Sequence, residues 1–309
     1  MNLDKVKGYG LAALAAAAYG TNPAFAVPLY GQGMNPVSVL LFRYLMGLPV
    51  LAVVMAVRGK SFSLKKSEII PTMVLGVLMA LSSLALFESY NYMNSGVAST
   101  LLFVYPVMVA VMMIMFFHEK FSVSTVICLV VMGSGLVLLM KPQGDATLSA
   151  FGCLLVMLSA LTYALYIVMV NVSKSVKNIP TTKLLFYVLG WGSLVYVGMI
   201  ACGSELTVPA QNWGWLNLLA LAVIPTVISL GFTTRAIQLI GSTPTAILGA
   251  LEPVSAVVLS VIVLGQSLTF QDIMGGILIV IATTIVICAA PVDKAILRMR
   301  KMFPKGSRH

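Results

Sequence analysis

Two acids, Glu88 and Glu252, stand inside apolar runs long enough to cross a bilayer. A carboxylate in hydrocarbon has no water to solvate it. It must face a cavity, a partner or an interface, and it is therefore a candidate for holding a solute or an ion. Glu252 precedes Pro253 near the middle of its run, beyond easy reach of either interface. It either lines a cavity or pairs with a base, and Arg43, also deep in an apolar run, is the base expected to serve as a structural charge partner. Glu88, in Leu86-Phe87-Glu88-Ser89-Tyr90-Asn91-Tyr92, lies roughly 8 Å inside the interface at 1.5 Å per residue. That depth suits an outer gate or an acid reaching out to water. Arg235 is read either as attracting anionic groups or as a long side chain snorkelling to the membrane surface. Tyr19, Asn22, Asn91, Tyr105 and Tyr163 would offer hydrogen bonds and aromatic faces to a solute. Pro106 and Pro253 remove a backbone donor in mid-run, so each predicts a helix kink that frees the carbonyl of Leu102 or Gly249.

The elements that carry these residues follow from composition. The chain has 309 residues, 60% of them hydrophobic and only 9% charged, with mean hydropathy +1.01. A soluble domain carries roughly a quarter charged residues, so the outer surface of this chain must face lipid. The net charge of +10 lies in short loops and the tail, not in a basic patch interleaved with aromatics, which argues against nucleic acid. Cys128, Cys153, Cys202 and Cys288 are far apart and read as small buried hydrophobes. With two histidines, His118 and His309, no metal cluster is expected, and no sequence motif calls for a cofactor.

Cutting at charges, Gly/Pro clusters and polar loops gives ten spans of about 20 residues. They run over 8–30, 36–57, 69–92, 96–117, 121–140, 147–171, 181–203, 213–238, 243–264 and 270–290. The cuts at 31–35 and 239–242 rest on Gly and Pro alone. With the N-terminus in the cytosol, sixteen Lys and Arg fall on the cytosolic side and only Lys141 outside, with Arg43 and Arg235 left in the membrane. The positive-inside rule then places both termini in the cytosol. The basic tail, 291–309, is expected to lie against the anionic leaflet or in solution.

Marker residues recur. Gly8 with Gly152, Tyr19 with Tyr163 and Pro36 with Pro180 are 144 apart; Ser95 with Ser242 and Pro106-Val107 with Pro253-Val254 are 147 apart. Glu88 and Arg235 share the second offset. Residues 1–143 and 144–290 thus read as two five-helix repeats, and an odd number of spans forces the second copy upside down, with a binding site expected near the midplane between them.

These residues resemble the ten-span EamA-type members of the drug/metabolite transporter superfamily. The likeness is carried by Leu251-Glu252-Pro253-Val254, by Val263-Leu264-Gly265-Gln266-Ser267-Leu268-Thr269 and Gly275-Gly276-Ile277-Leu278, and by Val104-Tyr105-Pro106-Val107, His118-Glu119-Lys120-Phe121 and Leu41-Phe42-Arg43-Tyr44. Gln266 stands where the family has Glu. The resemblance implies a membrane carrier of small metabolites, often an exporter, with a central cavity lined mainly by spans three, four, eight and nine and parts of one and six.

The expectation is an all-α integral membrane protein of the inner cell membrane. It is expected to work as a secondary transporter that exports small polar metabolites, amino acids or related organic compounds, by alternating access. A small-molecule substrate and the lipid bilayer are its expected partners, with proton coupling through Glu252 or Glu88; oligomeric state is left open. A phosphorylated-sugar or nucleotide-sugar carrier would need more bases than Arg43 and Arg235. An integral-membrane lipid-modifying enzyme would need a catalytic cluster, for which the loops offer His118-Glu119-Lys120 alone.

Overall fold

The computed structural model describes residues 3–93, 95–117, 123–139, 149–255, 258, 270–271, 273–282 and 284–285. Gln266, the His118-Glu119-Lys120 triplet, Lys141, Cys288 and the basic tail lie outside the described residues. The described chain is helical throughout, and helix falls within each of the ten expected segments. Among the described residues, five helices are long and apolar enough to cross a membrane: Pro36–Val57, Lys66–Ser89, Ala150–Val172, Thr181–Ala201 and Asn212–Ile240.

Local chemistry sets the boundaries. α1 (Leu3–Tyr19) and α2 (Asn22–Tyr30) are two pieces of the first predicted span, broken at Gly20-Thr21 ahead of Pro23. Gly33 then turns the chain with φ 83°, a left-handed conformation glycine adopts at little cost. α3 (Pro36–Val57) starts where the Asn35 side chain accepts from Ser38 N at 2.8 Å, with Pro36 in the first turn. α4 (Lys66–Ser89) starts where the Glu68 carboxylate accepts from Lys65 N at 3.1 Å. Predicted span four is also two pieces, α5 (Ser95–Leu102) and α6 (Tyr105–Phe117), broken just ahead of Pro106. α7 (Val123–Leu139) and α8 (Ala150–Val172) follow, then the short α9 (Lys174–Lys177) and α10 (Thr181–Ala201).

Span eight begins as α11 (Asn212–Ala222), widens into a π-helical stretch at Val223–Ile228 and resumes as α12 (Ser229–Ile240). Pro225 causes the widening. Its ring would clash with the carbonyl four residues back, that of Leu221. The wider turn relieves the clash, and the Thr226 hydroxyl donates to that carbonyl at 2.7 Å. Gly241, with φ 90°, marks the turn into α13 (Ser242–Leu248). Both breaks that rested on Gly and Pro alone are thus real turns. Helix resumes over Leu251–Ser255 after a turn at Gly249-Ala250. Pro253 was expected to free the Gly249 carbonyl, but Glu252 N donates to it at 2.9 Å.

Packing interleaves the two repeats. The most extensive helix pairings among the described residues are α4 with α8, α1 with α12, and α10 with both α3 and α4; each joins one repeat to the other. Small residues allow the close approach. A Cβ at Gly76 would come within 2.5 Å of Trp191 Cβ, and one at Gly8 within 2.5 Å of Ile240 Cγ2. Gly135 lies against the Gly275 backbone, its added Cβ falling 2.8 Å from that carbonyl, so this glycine pair packs within one chain. Buried polar pairs reinforce the joins: Ser82 and Ser159 each donate to the other's carbonyl, at 3.1 and 2.8 Å. Tyr196 donates to Ala80 O at 3.0 Å.

One sequence reading is corrected. Cys202, at the end of α10, is exposed and not a buried hydrophobe; Cys128 is buried and Cys153 half-buried.

Candidate functional site

A hollow opens where both repeats meet. α1 contributes Ala12, Ala15, Ala16 and Tyr19; α6 contributes Tyr105; α8 contributes Tyr163 and Ile167. α12 adds Ser229 and Thr233, and α13 with the turn after it adds Thr245, Gly249 and Glu252. Each group follows helical spacing. Residues 12, 15, 16 and 19 fall three or four apart on one stripe of α1, as do 163 and 167 on α8 and 229 and 233 on α12. The cavity volume is ≈ 20 Å³, against about 10–15 Å³ for one water on the same measure.

The repeat organises this hollow. Tyr19 and Tyr163 are 144 apart, and Tyr105 and Glu252 are 147 apart, which are the two offsets of the duplication. Both pairs of equivalent positions therefore converge on one space. Tyr105 and Glu252 stand just after matching breaks, Phe103-Val104 and Gly249-Ala250. Those breaks bring backbone and side chain together: Tyr105 Oη donates to Ala246 O at 3.2 Å. Only glycine fits opposite, since a Cβ at Gly249 would collide with the Tyr105 hydroxyl. The Tyr105 ring meets Tyr163 edge-on at 4.9 Å, and Tyr163 stacks with Tyr166 at 6.3 Å. The Tyr166 hydroxyl lies 3.3 Å from Thr234 Oγ1.

Arg43 forms a second, adjoining cluster and does not line the hollow. It is 0% exposed, and its guanidinium donates to Thr226 Oγ1, to Asn22 Oδ1 at 3.3 Å and to Pro225 O at 3.4 Å. Its charge also lies over the Phe87 ring, 5.6 Å from the centroid. The expected partnership with a carboxylate is replaced by hydrogen bonds to the π-helical stretch and to the start of α2. An ion pair among the described residues joins Lys183 to Glu68, at 3.8 Å. Through Asn22 the Arg43 cluster adjoins Tyr19, a lining residue three positions earlier in the chain. Asn22 is buried beside Arg43, and its Nδ2 has no hydrogen-bond partner.

The sequence-predicted residues thus divide. Glu252, Tyr19, Tyr105 and Tyr163 share the hollow, and Arg43 with Asn22 adjoin it. Glu88 is half-buried near Tyr30, outside the lining. Asn91 is exposed in the turn after α4. Arg235 is exposed and donates to Gln238 Oε1 at 3.1 Å. Span three supplies no lining residue, because α4 is taken up by α8 and α10. Sequence reasoning missed Ser229, Thr233 and Thr245. Spacing could have found Thr245, which with Gly249 forms a stripe leading to Glu252.

A helical, two-repeat membrane protein with a half-buried acid and tyrosines where the repeats meet has the design of a solute transporter. The family model of EamA-like transporters matches residues 6–141 and 150–288, and the chain belongs to that family. An uncharacterized transporter of Bacillus subtilis, YdfC, is 23% identical over 250 residues, covering 81% of each chain. Another, from Archaeoglobus fulgidus, is 26% identical over 60% of this chain and 64% of its own. A crystal structure of a protein superposes with a TM-score of 0.76, covering 91% of this chain and 96% of the other, at 17% identity, a likeness of fold. The chain is a multi-pass membrane protein, and its family and relatives are named for transport and not for catalysis.

Proposed function

We propose that the protein is a secondary transporter of small polar metabolites, amino acids or related organic compounds, that works by alternating access around Glu252. The observation that carries this reading is one acid and three tyrosines, from equivalent places in both repeats, in a hollow inside an otherwise apolar helical body. Glu252 is the group that binds cargo or a coupling proton, and the tyrosines shape and orient the cargo. The loop charges support both termini in the cytosol, and the family resemblance supports export across the inner cell membrane.

The packing bears on the motion. Because the strongest helix pairings cross between repeats, the moving bodies each mix elements of both, and neither repeat rocks as a unit. α3 and α10 are tied at both ends. At one end Lys183 reaches Ser63 O and Glu68, and Tyr187 donates to Phe62 O. At the other, Asn35 Nδ2 donates to Glu205 O at 2.7 Å and Thr207 N to Ser38 Oγ at 2.9 Å. These two helices with α4 suit a fixed frame, and α1 with α12 a moving wall.

The decisive experiment is counterflow of labelled amino acids and amines in proteoliposomes, with wild type, Glu252→Gln and Glu88→Gln at several pH values. The expected outcome is saturable flux in wild type, its loss in Glu252→Gln and a smaller effect in Glu88→Gln. No solute flux in wild type, or wild-type rates and pH dependence in Glu252→Gln, would remove the reading.

A further inference from the structure

Three of the hydroxyls around the hollow have spent their protons. Ser229 Oγ donates to Ala15 O at 2.8 Å, Thr245 Oγ1 to Gly241 O at 2.7 Å and Tyr105 Oη to Ala246 O at 3.2 Å. A hydroxyl has one proton and two lone pairs, so what these three groups retain is accepting capacity. Glu252 as a carboxylate accepts only. Among the described residues no Lys, Arg, His, Asn or Gln lines the space, and the nearby guanidinium of Arg43 is engaged by Thr226, Asn22 and Pro225. The faces of Tyr19, Tyr105 and Tyr163 add negative π-density. An anion entering here would meet Glu252 with only the hydroxyls of Tyr19, Tyr163 and Thr233 left to donate. A group with several N–H donors and a positive charge meets complementary partners on every side.

Resting on the carrier reading above, we infer that the hollow takes the primary ammonium group of a small organic amine, held by Glu252 with Thr245, Ser229 and Tyr105 accepting its remaining protons. Hydrogen bonding selects a primary head: an –NH₃⁺ brings three N–H donors for the Glu252, Thr245, Ser229 and Tyr105 oxygens, whereas a quaternary nitrogen brings none. The apolar stripe of Ala12, Ala15 and Ala16 gives the amine's carbon chain a wall.

The test is thermal unfolding of the full-length protein in nanodiscs at pH 7, where an alkylamine of pKa about 10.4 is protonated. The probes are n-butylamine, butyrate, butyramide, tetramethylammonium and ammonium chloride at equal concentrations. A ligand that binds only the folded form raises the melting temperature. The expected result is a saturable rise with n-butylamine and none with butyrate, butyramide or tetramethylammonium. Glu252→Gln should raise the half-saturating concentration by about tenfold or more, as loss of a charge-assisted bond does. Thr245→Val should raise it by about threefold, and it decides the question if Glu252→Gln does not fold. Equal shifts from butyrate or butyramide, a shift from ammonium chloride alone, or unchanged n-butylamine binding in folded Glu252→Gln would each overturn the assignment. Flux separates this from the carrier reading. A Glu252-dependent amine shift with no flux of any solute sinks the carrier and leaves the ammonium site standing. Saturable flux of anionic solutes without an amine shift does the reverse.

Discussion

The two repeats agree in backbone at one place and differ in chemistry there. Tyr105 and Glu252 occupy equivalent positions after equivalent breaks, and both reach the hollow. One repeat supplies a neutral ring with a hydroxyl, the other a carboxylate. Their neighbours differ in the same sense: Gly249, which makes room for the Tyr105 hydroxyl, has buried Leu102 as its counterpart. Elsewhere the backbones diverge. Span one breaks at Gly20-Thr21, whereas its counterpart α8 runs unbroken; span eight carries the π-helical stretch, whereas its counterpart α4 does not. Duplication brings these positions to one hollow, and divergence gives them different side chains.

Substitutions that exchange or erase these differences should act in a definite order. Glu252→Gln has the largest expected effect, a fall in flux of about 100-fold, the factor that ~2.7 kcal/mol of a lost charge-assisted contact gives. Wild-type flux in this variant would make the two positions chemically equivalent and dissolve the contrast. Arg43→Met strips the donors from Asn22, Thr226 and the Pro225 carbonyl, groups that join the break in span one to the π-helical stretch of span eight. It should lower stability by about 1.5–3 kcal/mol, read from unfolding in nanodiscs. Gly249→Ala forces the Tyr105 ring aside at an expected cost of about 1–3 kcal/mol, with flux falling in parallel; Gly249→Ala combined with Tyr105→Phe should recover part of the lost stability. Tyr105→Phe alone keeps the ring and loses its bond to Ala246 O, for a decrease in flux of about tenfold. Arg235→Gln and Asn91→Ala, both exposed and off the hollow, should change stability by less than about 0.5 kcal/mol and leave flux at the wild-type level.

Much of this was legible from residue order. Apolar length located the segments, Gly33 and Gly241 marked turns because a left-handed backbone selects glycine, and Pro106 and Pro253 announced breaks because proline cannot continue the ladder. Glu252, Tyr19, Tyr105 and Tyr163 were found because polar groups in hydrocarbon need a reason. What escaped was contact between distant segments. The partners of Arg43 are Thr226 and Pro225, which look apolar or neutral in sequence and become acceptors only through the widened turn. Glu88 and Asn91 have the residue types of a site, but their position at the end of α4 turns them from it. Ser229, Thr233 and Thr245 are ordinary helix residues by type, and only the stripe they share with the hollow gives them meaning.

The interleaved packing also bears on how the molecule is made. Helices α1, α3 and α4 leave the ribosome before α8, α10 and α12, the helices against which they bury their largest faces. Until those later segments arrive, the early ones must be sheltered by lipid, by one another or by the insertion machinery, and the chain cannot mature one repeat at a time. Two fragments divided between Leu139 and Ala150 would each be an unfinished product, able to mature only when synthesised together.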